Sequence, residues 1–140
     1  MRLSDGAKVA VKKVRYLDQE YEQLARREFS ILSQLKGTPN IVEAFGFYSI
    51  KDHSLLFMSF LAGQTITQLV ESTGQGLSEQ FSLKVAQKLV AALKGISAKK
   101  IIHRDFNPQN VLLTTRADGE LEPFIIDFNV ARQHESGLIN

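Results

Sequence analysis

The chain has 140 residues, enough for one domain with its own core, and 44% of them are hydrophobic and 23% charged, as in ordinary water-soluble globular proteins. Seventeen basic residues against fifteen acidic ones leave a net charge of +2, which gives no support to a nucleic-acid-binding surface. Cysteine is absent, which excludes disulfides and thiolate zinc sites; the opening Met1-Arg2-Leu3-Ser4-Asp5-Gly6 lacks the apolar core of a signal peptide, and no run reaches the length of a membrane span, so an intracellular, cytoplasmic, soluble protein is the expectation.

Asp5-Gly6 reads as a hairpin turn. The stretch Lys8-Val9-Ala10-Val11-Lys12-Lys13-Val14 has the β-branched content and alternation of a strand, with Ala10, Lys12 and Val14 on one face. By alternation alone Lys12 is an exposed strand lysine. Asp18 to Leu35 reads as a helix capped by Asp18. Tyr21, Leu24, Ala25, Ile31, Leu32 and Leu35 share one stripe, with Glu28 in its middle and Arg26 and Arg27 off it. A glutamate facing a core needs a partner or loses its charge, so Glu28 either reaches water from the stripe edge or meets a cation. Gly37-Thr38-Pro39-Asn40 ends the helix. Ala44 to Tyr48 and Ser54 to Phe60 read as strands around a Lys51-Asp52 turn, with His53 exposed near the tip and Met58 as an ordinary core methionine. Ala62-Gly63 reads as a joint. A short helix follows, Thr65 to Glu71, with Ile66, Leu69 and Val70 inward, ended by Gly74-Gln75-Gly76. Ser78 caps a longer helix reaching Lys99, whose apolar positions are Phe81, Val85, Ala86, Leu89, Ala92, Leu93 and Ile96. Lys94, Lys99 and Lys100 suit its dipole without any binding role.

The stretch that carries chemistry is Ile101-Ile102-His103-Arg104-Asp105-Phe106-Asn107-Pro108-Gln109-Asn110-Val111-Leu112-Leu113. Apolar pairs flank a polar loop that holds a carboxylate, Asp105, and an amide, Asn110, with Pro108 stiffening the backbone between them. A turn at Arg116-Ala117-Asp118-Gly119 leads to a second strand ending at another acid, Asp127, and Phe128 to Asn140 show no clear period. An acid at the end of an apolar strand is costly without a task. Two carboxylates and an amide on adjacent loops can hold a hard cation such as Mg²⁺ through oxygen.

His103-Arg104-Asp105-Phe106 with Asn110, followed by Asp127-Phe128-Asn129, resembles the H-R-D-L-x-x-x-N catalytic loop and D-F-G segment of protein kinases. Val9-Ala10-Val11-Lys12 resembles their V-A-I-K strand, Thr38-Pro39-Asn40-Ile41-Val42 their H-P-N-I-V, and Leu56 to Leu61 their hinge. The resemblance implies an α+β, two-lobed kinase-like fold, with a strand-rich small lobe at 1–61 and a helical lobe with the catalytic loop at 62–140. It is expected to be partial: no G-x-G-x-x-G phosphate loop occurs, and the chain ends before an A-P-E element. The implied cofactors are ATP and Mg²⁺ and the implied partner is a protein substrate, with no nucleic acid or membrane. Lys12 would contact the α- and β-phosphates and Glu28 would fix it. Ala10 would roof the adenine and Leu112 floor it, beside the gatekeeper Met58 and the backbones of Ser59 and Leu61. Asp105 would orient the substrate hydroxyl, and Asn110 and Asp127 would hold Mg²⁺. His103 and Phe128 would pack as core, and Arg104 would mark a site regulated by a phosphorylated activation loop.

Two positions depart from the pattern. Asn107 stands where Ser/Thr kinases carry a lysine that neutralises the transferring phosphate; an amide there still donates a neutral hydrogen bond. Asn129 replaces the D-F-G glycine, and asparagine tolerates positive φ well enough to keep the turn. Asn107-Pro108-Gln109-Asn110 resembles K-P-E-N and so implies transfer to Ser/Thr. The alternatives are a pseudokinase-like nucleotide-binding or interaction module and a small-molecule phosphotransferase of related fold.

Overall fold

A computed structural model describes residues 1–134. The strand-rich N-terminal part begins with a hairpin: Arg2 bridges Lys8 across a turn whose Gly6 takes φ +84°. Strand β1 (Val9–Arg15) follows, then helix α1 (Gln19–Gln34), β2 (Ala44–Ile50) and β3 (His53–Ser59). The antiparallel sheet has the order β1-β3-β2, which centres the more apolar β3. The Asp18 carboxylate accepts from the Glu20 and Tyr21 amides and so starts α1 at the expected place. Ala25, Glu28, Ile31 and Leu32 form its buried face, while Tyr21, expected on that stripe, is exposed one turn from the helix start.

The helical part opens with β4 (Gly63–Thr65), then α2 (Ile66–Thr73) and α3 (Glu79–Ala98). Both helices begin as the sequence reads: Thr65 and Gln68 form a capping box, and Ser78 caps α3 through the Phe81 amide. β5 (Ile101–Ile102), a 3₁₀ turn (Pro108–Asn110), β6 (Val111–Thr115), β7 (Leu121–Ile125) and β8 (Arg132–Gln133) complete the elements, with sheet order β4-β6-β7 and a β5-β8 pair.

Several expectations change. Gly63 pairs in β4, and a Cβ there would sit 2.0 Å from the Leu113 carbonyl oxygen. Glycine is present for close approach of two backbones. Val70 and Ala86 face solvent, because α2 and α3 each present a narrower buried stripe than their apolar content implies. His53 is half-buried and hydrogen-bonded to Asp52. β7 stops at Ile125, short of Asp127. β8, too brief to show a period, is fixed by pairing with β5.

One core joins the two parts. Ile31 and Leu32 of α1 and Leu35, its C-cap, share one buried apolar cluster with Leu89, Ala92 and Ile96 of α3, Ile125 of β7 and Phe128. Fully burying each such side chain contributes roughly 1.5–3 kcal/mol. The parts are also stitched by backbone: Ile41 bridges Ile125 in parallel, the Val42 amide donates to the Ile125 carbonyl (3.0 Å), and the Ile125 amide donates to the Asn40 carbonyl (3.0 Å).

Candidate active site

β1 and α1 bring the first pair together. Lys12 Nζ lies 3.0 and 2.9 Å from the two Glu28 carboxylate oxygens. Glu28 is 3% exposed in mid-helix, so its charge is held in a poorly solvated place by this contact. The same Nζ lies 3.5 Å from Asp127 Oδ1. The lysine that alternation alone would expose thus bridges two acids carried by elements distant in sequence.

The polar loop is held differently. Asp105 Oδ2 and its carbonyl each accept from Asn110 Nδ2 at 2.9 Å. Asp105 Oδ1 accepts from Asn107 Nδ2 at 3.0 Å, and the Asp105 carbonyl accepts from the same amide at 3.3 Å. Asn107 Oδ1 in turn accepts from the Gln109 amide (2.9 Å), capping the 3₁₀ turn that delivers Asn110. Asn107 therefore directs its amide at Asp105, not outward as a phosphate donor. Proline at the first position of that turn supplies a φ that suits it.

His103, 4% exposed, accepts the Asp105 amide on Nδ1 (3.2 Å) and packs edge-on against Phe128, centroids 4.7 Å apart. Burial lowers its pKa, and the Asp127 carbonyl and the charges of Asp105 and Asp127 oppose that shift without cancelling it. The neutral imidazole is thus a packing and hydrogen-bonding group. Arg104 takes φ +67° and donates Nε to the Val130 carbonyl at 2.7 Å. Asn129 does not lie at positive φ, so the conformational tolerance expected of it is not used. Its amide instead closes a turn on Asp127 Oδ1 (3.0 Å).

Asn110 and Asp127 are brought side by side by the Ile126 amide, which donates to the Asn110 carbonyl at 3.1 Å. Asn110 spends its NH₂ on Asp105, which leaves its side-chain oxygen as the atom suited to a cation. With an Asp127 carboxylate this is a hard-oxygen donor pair, which fits Mg²⁺, an ion that keeps water and phosphate oxygens as its other ligands. Among the described residues no cluster of three His, Cys, Asp or Glu forms an all-protein metal cage.

A cavity of about 250 Å³ opens beside these groups. Ala10, Met58, Ser59, Leu61 and Leu112 line it, together with Val42, Phe60 and Ile126, which the sequence reading did not single out. Ile126 is adjacent to Asp127 and Phe60 lies between Ser59 and Leu61, so their neighbours were the available cue. Val42 is placed by its pairing with Ile125, which no local pattern reveals. Lys12 and Glu28 line a second cavity of about 180 Å³ with Leu24, Asn129 and Val130 among its walls.

Residues 1–138 match the family described as "Protein kinase domain". This chain belongs to the protein kinase domain family. It is similar to a putative ribosomal protein S6 kinase alpha-2 of Caenorhabditis elegans, 33% identical over 131 residues that cover 94% of this chain and 16% of the relative. It is also similar to calcium-dependent protein kinase 27 of Arabidopsis thaliana, at 30% over 91% of this chain and 27% of the relative. The serine/threonine-protein kinase pak-2 of C. elegans is 30% identical over 94% of this chain and 24% of its own length. This kinase-family chain therefore spans between 16% and 27% of the length of these relatives. No helix among the described residues is long and apolar enough to cross a membrane.

Proposed function

We propose that this chain binds ATP with Mg²⁺ and transfers the γ-phosphoryl group to a Ser or Thr hydroxyl of a protein substrate. The observation that carries the reading is the Lys12 ammonium, held at 2.9 Å by buried Glu28 and 3.5 Å from Asp127. Phosphoryl transfer depends on positioning and charge neutralisation, and an ammonium fixed between two acids from separate elements supplies both. The division into a small lobe at 1–61 and a helical lobe at 62–140, with the nucleotide between them, belongs to the same reading.

The adenine occupies the cavity between Ala10 and Leu112, beside Met58. The Ser59 amide is already bonded to the Glu43 carbonyl (2.8 Å), so Ser59 contributes its carbonyl to the base edge. Lys12 orients the phosphates, and Glu28 keeps the lysine from rotating away. Asn110 and Asp127 would hold Mg²⁺, which would supply charge neutralisation for the transfer. Asp105 orients the acceptor hydroxyl for in-line approach and takes up its proton as the oxygen–phosphorus bond forms and the γ-phosphorus–oxygen bond to the departing ADP breaks. Its two carboxylate oxygens are pre-set by Asn107 and Asn110, so little reorganisation accompanies the transfer.

A nucleotide-binding module without transfer is the second reading. Asn107 favours it, because no cation stands at this position and its amide is committed to Asp105. Calorimetric titration of the chain with ATP, with and without Mg²⁺, tests binding, and phosphate transfer to a generic Ser/Thr protein acceptor separates the two readings. Saturable, metal-dependent binding that disappears in Asp127→Asn is the expected result. Equal binding by wild type and Asp127→Asn would remove Asp127 from the site.

A further inference from the structure

Strand β2 is an edge of the β1-β3-β2 sheet, and its sequence Ala44-Phe45-Gly46-Phe47-Tyr48-Ser49-Ile50 holds no charge and no proline. Proteins commonly guard such edges with charges, prolines or bulges. β1, at the other side of the sheet, carries Lys12, Lys13 and Arg15. The bulge of β2 falls between Ala44 and Gly46 and leaves Gly46 to Ile50 regular. Ile50 and His53 close the two-residue Lys51-Asp52 turn as a hydrogen-bonded pair, so by alternation Tyr48 and Gly46 also bond to β3. The amides and carbonyls of Phe47 and Ser49 therefore point away from the sheet. Among the described residues no other strand or loop backbone bonds to them. Their side chains turn toward α1: Phe47 stacks on Phe29 at 5.7 Å, and Ser49 Oγ donates to Glu22 Oε1 at 3.2 Å. Tyr48 and Ile50 lie on the opposite face, 61% and 43% exposed, with Tyr48 edge-on to Phe57.

An edge whose free residues are spaced two apart is complementary to itself. About a two-fold axis through Tyr48, Phe47 of one copy faces Ser49 of the other, and each such pair exchanges its N–H and C=O groups. Tyr48 then stands beside its own copy, at the close spacing of a non-hydrogen-bonded pair. Ile50 faces Gly46, where even a Cβ would meet nothing nearer than Tyr48 at 3.5 Å. At one end of the strand stands Glu43, 3.7 Å from Lys36, and at the other Lys51. Antiparallel pairing brings these opposite charges alongside each other and puts no like charges within the paired segment. We propose that β2 is a homodimerisation edge that joins two copies of this chain, antiparallel through Gly46 to Ile50, into one continuous sheet. A second copy fits better than a foreign strand because one register satisfies both free residues and sets the exposed aromatic against itself. None of Gly46 to Ile50 lines the cavity assigned to adenine, so the pairing needs no nucleotide. So short a paired segment makes a weak association, with Kd on the order of micromolar to millimolar.

Analytical ultracentrifugation of the full chain without nucleotide, from roughly 1 μM to 1 mM, reads the association. Wild type should pass from monomer to dimer across that range. Tyr48→Lys and Tyr48→Glu each set like charges side by side on the axis and should stay monomeric. Tyr48 is exposed, so neither change disturbs the core. An equimolar mixture of the two variants should dimerise again, because only pairing of position 48 with itself sets their opposite charges together. Hydrogen exchange on wild type gives a second reading that needs no substitution. At a concentration where about nine-tenths of the chains are paired, the Phe47 and Ser49 amides should exchange about tenfold more slowly than in dilute solution. The Tyr48 amide, already bonded to β3, should respond less. A wild type that is monomeric at every concentration would overturn the proposal and leave the edge to a strand of another protein. A dimer that survives Tyr48→Lys, a mixture that stays monomeric, or Phe47 and Ser49 amides indifferent to concentration would overturn it equally.

Discussion

The two halves of the candidate site are held by opposite means. Around Lys12, full charges face one another in a place where one partner, Glu28, has almost no water. Around Asp105, neutral amides from the same short loop tie down an exposed carboxylate. A charge pair in a poorly solvated place is expensive to disturb, because removing one member strands the other. Amide contacts within one loop are individually weak and give geometry more than stability. The first half thus couples elements distant in sequence, and the second is assembled by its own local turn.

The comparison is broken most strongly at Glu28. Glu28→Ala leaves Lys12 with only the more distant Asp127, and should lower unfolding free energy by about 3 kcal/mol, the low end for a buried pair because Lys12 is partly solvated. Chemical denaturation at neutral pH measures it; a loss under about 1 kcal/mol would mean the pair behaves as a surface ion pair.

Glu122→Gln sharpens the contrast with an intermediate case, a charged group at the boundary of the core. Burial pushes the Glu122 carboxyl up, but hydrogen bonds from Lys88 and Asn40 and the charges of Lys88 and Arg116 outweigh it and hold the group below its ordinary range. A carboxyl depressed in the folded state adds stability above its unfolded pKa, and that stability is lost as pH falls through the folded value. Wild type should exceed Glu122→Gln by about 1 kcal/mol at pH 7, and the difference should shrink steadily as the pH falls below about 4.5. A pH-independent difference would show that shape, not charge, is what Glu122 supplies.

The smallest stability effect belongs to the loop. Asn107→Ala removes a cap from a single 3₁₀ turn and should cost about 0.5 kcal/mol. Any phosphate transfer should fall more visibly, about fivefold, from loss of one hydrogen bond on Asp105, with the ATP KM unchanged. A raised KM with unaltered turnover would place Asn107 against the nucleotide instead.

Much of this was legible because its causes are local. Asp18 and Ser78 announce helix starts by side-chain chemistry that acts within one turn. Lys12 and Glu28 were each marked by a pattern of their own, a strand residue sharing a face with Ala10 and an acid on an apolar stripe. What escaped was non-local or ambiguous in kind. Glycine signals both freedom and close approach, and only Leu113 behind Gly63 shows that the second applies there. An amide has two ends, and only the turn at Pro108 determines that the NH₂ of Asn107 faces Asp105. Val42 joins its cavity through a strand from the far end of the chain.

That last pairing bears on how the chain comes to be built. The β1-β3-β2 sheet is complete once Ser59 has been made, yet the segment from Asn40 to Val42 finds its hydrogen-bonding partner only when Ile125 emerges. During synthesis the early part therefore carries an unpaired backbone edge, and Ile31, Leu32 and Leu35 wait without the α3 side chains that complete their apolar cluster. Contacts of such long sequence separation form late and slowly. The step that closes this edge is the same step that delivers Asp127 to Lys12, so the nascent chain gains its folding cooperativity and its full charge constellation together.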